Sequence, residues 1–356
     1  MSSLLVYTKI LRITRYLGMR TNHKEAETTM DEIFKYFNLI ITIIFCLCEC
    51  GFIYLDQSGR TTDTVIFTLN RLNHIIFIFG MCYTRFKCTK TLNKFFTNMD
   101  HLADSLPENS KLAKETLLIL LTTSAIGLNR IPSHFRIEQK TLNFLIWPKL
   151  AVTTVWYTVS MVCTCNMLDI NNNAIKQTYR FLKQTPSNCN NSDFMYRLHY
   201  LKKNLNLISS NLKCFNKIFG WICLSLYLDF ALNIIYALQI TMGKQSFFPM
   251  LRWIEISQCT LHAVNAVTLV NKCDRIEKNI GKFVAVCYGF HQNIPDKWSI
   301  VREEMMNLGN YAEKTMPKCS AAGFFTLNRS TLGALFSSIA TYLIVCIQFN
   351  MSEAQK

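Results

Sequence analysis

The residues best able to do chemistry are 15 cysteines and 7 histidines, and their spacing limits what they can do. A helical zinc site needs two ligands on one face, three or four residues apart. The histidines fall at 23, 74, 101, 134, 199, 262 and 291, so no two meet that spacing. Cys46, Cys48 and Cys50 step by two, which turns neighbours away from each other. Cys46 and Cys50 share a face, but two thiols do not make a metal site, and Cys163 and Cys165 read the same way. Free thiols in apolar stretches behave as small hydrophobic side chains. No dinucleotide or phosphate-binding loop and no His-Glu-x-x-His pattern occurs. Clustered histidines or carboxylates for acid–base work are also missing. The sequence points to no enzyme, no metal and no cofactor.

What remains are polar and aromatic residues set inside long apolar stretches: Asn73 and His74, Trp156, Asn233 and Tyr236, and Glu255, Gln258 and His262. Such groups are costly in lipid, so they should face a protein interior or a watery cavity. Converging among aromatics, they suit a pocket for a small organic ligand. For any one of them alone, interhelical packing is the plainer reading. Asp229 stands apart, an acid near the middle of an apolar stretch. It is either a functional group or the partner of a buried lysine or a backbone group.

Membrane helices must position these residues. The chain has 356 residues, 50% of them hydrophobic and 17% charged, with a net charge of +15. Apolar residues come in blocks and the charges lie between them. That pattern excludes a disordered chain, a disulfide scaffold and a nucleic-acid binder, since no basic patch is interleaved with aromatics. A bilayer core of about 30 Å needs roughly 17–25 apolar residues in a helix. Seven stretches qualify: 36–55, 64–84, 112–131, 143–167, 217–241, 252–271 and 328–349. Mean hydropathy is only +0.15 because charged amphipathic segments dilute them.

Lys and Arg set the orientation. Segments 1–32, 85–111, 168–216 and 272–327 hold 5, 5, 7 and 8 of them. The alternate loops hold 1, 3 and 2, and the tail after the last span holds 1. The positive-inside rule places the N-terminus in the cytoplasm, and seven spans place the C-terminus outside. Residues 1–32 lack the apolar core and cleavage site of a signal peptide. A G-protein-coupled receptor has the opposite orientation. Asp274-Arg275-Ile276 follows the sixth span rather than the third, and no Asn-Pro dipeptide occurs. The expected architecture is all-α: a polytopic membrane protein with seven transmembrane helices and a cytoplasmic helical anchor.

The inner segments read as helices. In 194–216, Leu198, Leu201, Leu205, Ile208, Leu212 and Phe215 form one apolar stripe. In 294–308, Ile294, Trp298, Val301, Met305 and Leu308 form another. Both predict extensions of the membrane helices that pack together. Pro186 marks a break between 184 and 192, and the sequon Asn190-Asn191-Ser192 falls on the cytoplasmic side, where it would go unused. Four regions follow. Residues 1–271 are a tail and a six-helix ligand-binding bundle, 272–327 an anchor segment, 328–349 a last helix, and 350–356 an outer tail.

That last helix carries Gly333, Ser337 and Thr341 four residues apart, a ladder that lets helices approach closely. Thr341 and Gln348 share one face and Tyr342 and Phe349 the next, so polar and aromatic stripes lie side by side. A Gln near the end of a membrane helix needs another helix or water in a pore. Residue chemistry alone leaves both open.

Thr341-Tyr342, five hydrophobic residues including Val345, then Gln348-Phe349 resembles the signature of insect gustatory receptors. Ala321-Ala322-Gly323-Phe324-Phe325-Thr326-Leu327-Asn328 resembles the lead-in to it. Asn216-Lys217-Ile218-Phe219-Gly220 and Leu11-Arg12-Ile13-Thr14-Arg15-Tyr16-Leu17-Gly18 are similar to further family patterns. The resemblance implies a tastant-gated, non-selective cation channel in the plasma membrane of sensory neurons. It implies four copies of the last helix around one pore, as a homotetramer or a heteromer with related receptors. Gln348 and Phe349 would sit at the gate, with Thr341, Tyr342 and Val345 beside the pore. A pocket for a small organic tastant would lie between spans two to six. Sugar receptors of the family tend to carry Glu after Thr-Tyr. Leu343 stands there instead, which favours a bitter-type receptor, with a sugar-responsive one, an obligate co-receptor subunit and a small-solute transporter left as alternatives.

Overall fold

The computed structural model describes residues 61–88, 140–183, 191–242, 249–293 and 299–354, with scattered positions at 40, 44 and between 90 and 101. Residues 1–32, nearly all of span 36–55, all of span 112–131, the Pro186 break, Ile294 and Trp298 lie outside the described residues.

The described chain is built on six helices and one short hairpin. The helices are α1 (Thr61–Lys87), α2 (Lys140–Lys183), α3 (Asn191–Met242), α4 (Pro249–Asn293), α5 (Ser299–Thr315) and α6 (Arg329–Ala354). Strands β1 (Ser320–Ala321) and β2 (Phe325–Thr326) pair antiparallel between α5 and α6. At 1.5 Å per residue, the 44 residues of α2 run about 66 Å. That is twice the bilayer core of about 30 Å. Helices α3 and α4 are as long, at 52 and 45 residues. The apolar stretches 143–167, 217–241 and 252–271 each continue into a polar helical extension, because the 3.6-residue period persists where the composition changes.

Among the described residues, Asp193–Ile235 is long and apolar enough to cross a membrane, and Leu72–Thr84 and Arg329–Val345 are shorter apolar segments.

The extensions pack as their stripes predict. Leu198, Leu201, Leu205, Ile208, Leu212 and Phe215 are all buried, and so are Val301, Met305 and Leu308 of α5. Polar contacts tie the stripes together. The Ser209 hydroxyl donates to the Thr315 carbonyl at 2.8 Å, and Tyr311 donates to Asn206. Higher in the bundle, Lys272 of α4 forms a buried ion pair with Asp169 of α2, and Asn279 donates to Asn172 at 2.5 Å.

The hairpin is locked onto α3. Its turn has Ala322 at φ 51° and Gly323 at φ 82°. Two successive positive φ values make the tight turn that matches strand twist. Gly220 of α3 is the contact point, since a Cβ there would lie 2.9 Å from the Ala322 nitrogen. Asn216 donates to the Lys318 carbonyl at 2.7 Å and accepts from the Ser320 N–H at 3.0 Å. Two sequence patterns a hundred residues apart, Asn216–Gly220 and Ala321–Asn328, are therefore one structural unit. Asn328 then starts α6, accepting from the Thr331 N–H at 3.0 Å as an N-cap.

Candidate functional site

Helices α1 to α4 bring one acid–base pair into the bundle interior. Asp229 of α3 and His262 of α4 are both almost fully buried, with Nδ1 of the ring 2.9 Å from Oδ2 of the carboxylate. This is ion-pair contact; neither atom makes a well-directed hydrogen bond. The other ring nitrogen, Nε2, is buried with no hydrogen-bond partner among the described residues. Tyr157 of α2 meets the imidazole edge-on at 5.9 Å, and Phe77 of α1 packs on Tyr157 at 5.8 Å. Four helices thus contribute one polar pair and two aromatic rings.

Other expected pocket residues are placed as follows. Asn73 is buried and spent on helix pairing: its Nδ2 donates to the Ser225 carbonyl at 3.2 Å, and its Oδ1 accepts from the Ser225 hydroxyl at 3.1 Å. His74 is half-buried beside it. Asn233 donates to the Asp229 carbonyl at 2.6 Å, one turn back on its own helix. Trp156, Tyr236, Glu255 and Gln258 lie on α2, α3 and α4, and their side chains lie outside what is described. Helical spacing puts Glu255 and Gln258 on the face of α4 that carries His262, and Tyr236 on the face of α3 that carries Asp229 and Asn233.

Asp229 was legible as an oddity but not as His262's partner. Of the alternatives for Asp229, the structure shows contact with His262, while Lys272 pairs with Asp169. Tyr157 and Phe77 were missed, as aromatics on apolar helix faces carry no distinguishing sequence signal.

The second candidate element is α6. Its base is held from two sides. Tyr227 of α3 donates to the Thr331 carbonyl at 2.6 Å, and Arg329 reaches Asp274 and Asn271 of α4, each at 3.2 Å. Phe230, next to Asp229, meets Phe336 of α6 edge-on at 5.9 Å. Around and beyond that contact the helix is largely uncovered by the described residues. Gly333, Ser337, Thr341, Val345 and Gln348 are exposed, and Tyr342 is half-buried. A Cβ at Gly333 would meet nothing within 4 Å. The hydroxyls of Ser337 and Thr341 donate to the carbonyls one turn back, at 3.1 and 3.0 Å. The small-residue ladder is therefore internally satisfied, and no helix of this chain packs against it among the described residues. The side chain of Phe349 lies outside what is described.

Buried cysteines show no metal-binding arrangement. Among the described residues, no group of three or more His, Cys, Asp or Glu could hold an ion.

Comparison with curated proteins finds no match. Among solved structures, the chain is similar to the insect olfactory receptor OR5 from Machilis hrabei, solved in complex with eugenol. The TM-score is 0.68 at 13% identity, over 98% of this chain and 100% of that one. At that identity the likeness shows a shared fold. The sequence model of the 7tm chemosensory receptor family matches residues 4–353, and the chain belongs to that family.

Proposed function

We propose that the chain is a gustatory receptor: a tastant-gated, non-selective cation channel of sensory-neuron plasma membranes, probed from outside and anchored inside by its long helical extensions. The observation that carries this reading is the uncovered face of α6. An apolar helix that exposes Ser337, Thr341 and Gln348 together with Ile344, Val345 and Ile347 is incomplete in one chain. Lipid suits the aliphatic residues, and the polar stripe calls for water or another copy of the helix. Four copies around an axis satisfy both, with Gln348 and Phe349 at the outer gate.

The seven-span topology with a cytoplasmic N-terminus belongs to the same reading. It is supported by the distribution of Lys and Arg and by three helices long enough to cross a bilayer and continue beyond it. The pocket is the interior around Asp229 and His262, opening outward along the faces that carry Tyr236, Gln258 and Glu255. A small organic ligand is consistent with eugenol in the Machilis relative. Leu343 after Thr341-Tyr342 favours a bitter-type over a sugar-type receptor.

Assembly tests this reading directly. Purified in detergent or nanodiscs, the protein is expected as a particle of four 41.3-kDa chains. A monodisperse monomer would contradict the channel and favour a transporter.

A further inference from the structure

Resting on the receptor reading, we propose that His262 Nε2 is the hydrogen-bond donor that selects the ligand, and that the ligand is an uncharged organic molecule with an exposed oxygen acceptor, such as a ketone, ester or lactone. Three observations carry it. His262 and Asp229 are both drawn out of solvent and lie 2.9 Å apart. Nε2 is buried and makes no hydrogen bond among the described residues. An aromatic ring lies against the imidazole, with Tyr157 edge-on to it.

Charge fixes the role of Nε2. A lone buried charge is far more costly than a neutral pair. The pair is neutral as carboxylate and imidazolium, which suits a close contact without a directed hydrogen bond. The imidazolium carries a hydrogen on Nε2. The interior therefore presents an N–H donor with nothing among the described residues to receive it. A buried donor left unmade is costly, so a ligand oxygen that meets it gains preference over a hydrocarbon of the same shape. A protonated amine brings a second donor and a second positive charge toward the imidazole, and is disfavoured. Tyr157 and Phe77 supply the apolar body of the site. The adjoining Phe230–Phe336 contact places α6 one residue from Asp229, so occupancy is felt at the last helix.

The test uses matched probes that differ in one group: acetophenone, α-methylbenzylamine and ethylbenzene, and likewise cyclohexanone, cyclohexylamine and methylcyclohexane. Binding to the full-length protein in nanodiscs is read by saturation-transfer NMR, without current, so a failure here is separate from a failure of channel function. At least one ketone should bind about tenfold more tightly than its amine and its hydrocarbon, which corresponds to about 1.4 kcal/mol. His262→Gln, which keeps a donor, should retain the preference. The double variant Asp229→Leu with His262→Phe leaves no buried charge behind; it should keep its elution profile and bind ketone and hydrocarbon alike. Amine preference, equal binding within each set, no binding by either ketone, or an unchanged preference in the double variant would overturn the proposal.

Discussion

Arg329, at the first turn of α6, lies 3.2 Å from Asp274 of α4, the helix that also carries His262. The last helix is thus tied at its base to the element that lines the interior pair. Tyr227 and Phe230 of α3 make the matching connection from Asp229's helix. These anchors are the contacts through which a shift of α3 against α4 would reach α6.

Loosening that anchor should change gating rather than folding. Arg329 is 63% exposed, so its pair with Asp274 is screened and worth about 1 kcal/mol or less. Arg329→Gln and Asp274→Asn should each alter resting current by up to about fivefold. The double variant should do less than the sum of the two, because one contact is shared, while Asn271 on Arg329 and Lys278 on Asp274 keep it above either alone. Additive effects in a double-mutant cycle would separate the two residues.

Close approach at Gly220 predicts a stability defect. Gly220→Val forces a side chain against the backbone of Ala322, 2.9 Å from the first added carbon. Overpacking of this kind costs about 1–3 kcal/mol. The melting temperature of the purified protein should fall, while Gly333→Ala, whose added carbon meets nothing within the chain, should not lower it.

The buried Lys272–Asp169 pair predicts a different signature. Lys272→Met takes the cation from a buried carboxylate, at a cost of up to about 3–5 kcal/mol. Adding Asp169→Leu should restore most of the lost surface expression, since an apolar pair replaces an ion pair at little net cost. No restoration would show that Lys272 has a further role.

Thiol reactivity follows from burial. Burial pushes Cys287, in the polar extension of α4, up to about 12 from an ordinary value of 9.0. A raised value keeps the thiol protonated, and therefore unreactive, at neutral pH, with reactivity appearing only as pH approaches that value or the fold opens. Mass spectrometry after brief iodoacetamide treatment should find Cys287 unmodified in the native protein and fully modified in urea.

Local periodicity carried much of the fold. The stripe from Leu198 to Phe215 and the run Val301, Met305, Leu308 are buried residue by residue as their spacing requires. The full lengths of α2 and α4 were less legible, because hydropathy reports where a helix leaves an apolar environment, not where it ends. Side-chain pairing was legible only in part. His262 and Asp229 were each singled out by polarity at membrane depth. Their contact joins two helices, and nothing in either local pattern selects one acid for one histidine. Ala322 at positive φ was hidden for a related reason, since the turn is set by its lock onto Gly220 of a distant helix.

The central claim is that ligand opens a cation pore lined by α6. It is tested most directly by expressing the chain alone in cells that lack related receptors. Whole-cell current and calcium entry are recorded while ketones, sugars and plant bitter compounds are applied to the wild type, Gln348→Ala and Phe349→Ala. The expected result is a ligand-evoked cation current in the wild type whose conductance or rectification changes in both variants. A ligand-evoked current identical in all three would remove α6 from the pore. Ligand binding with no current, at confirmed surface expression and with tetramers formed, would contradict a self-sufficient channel.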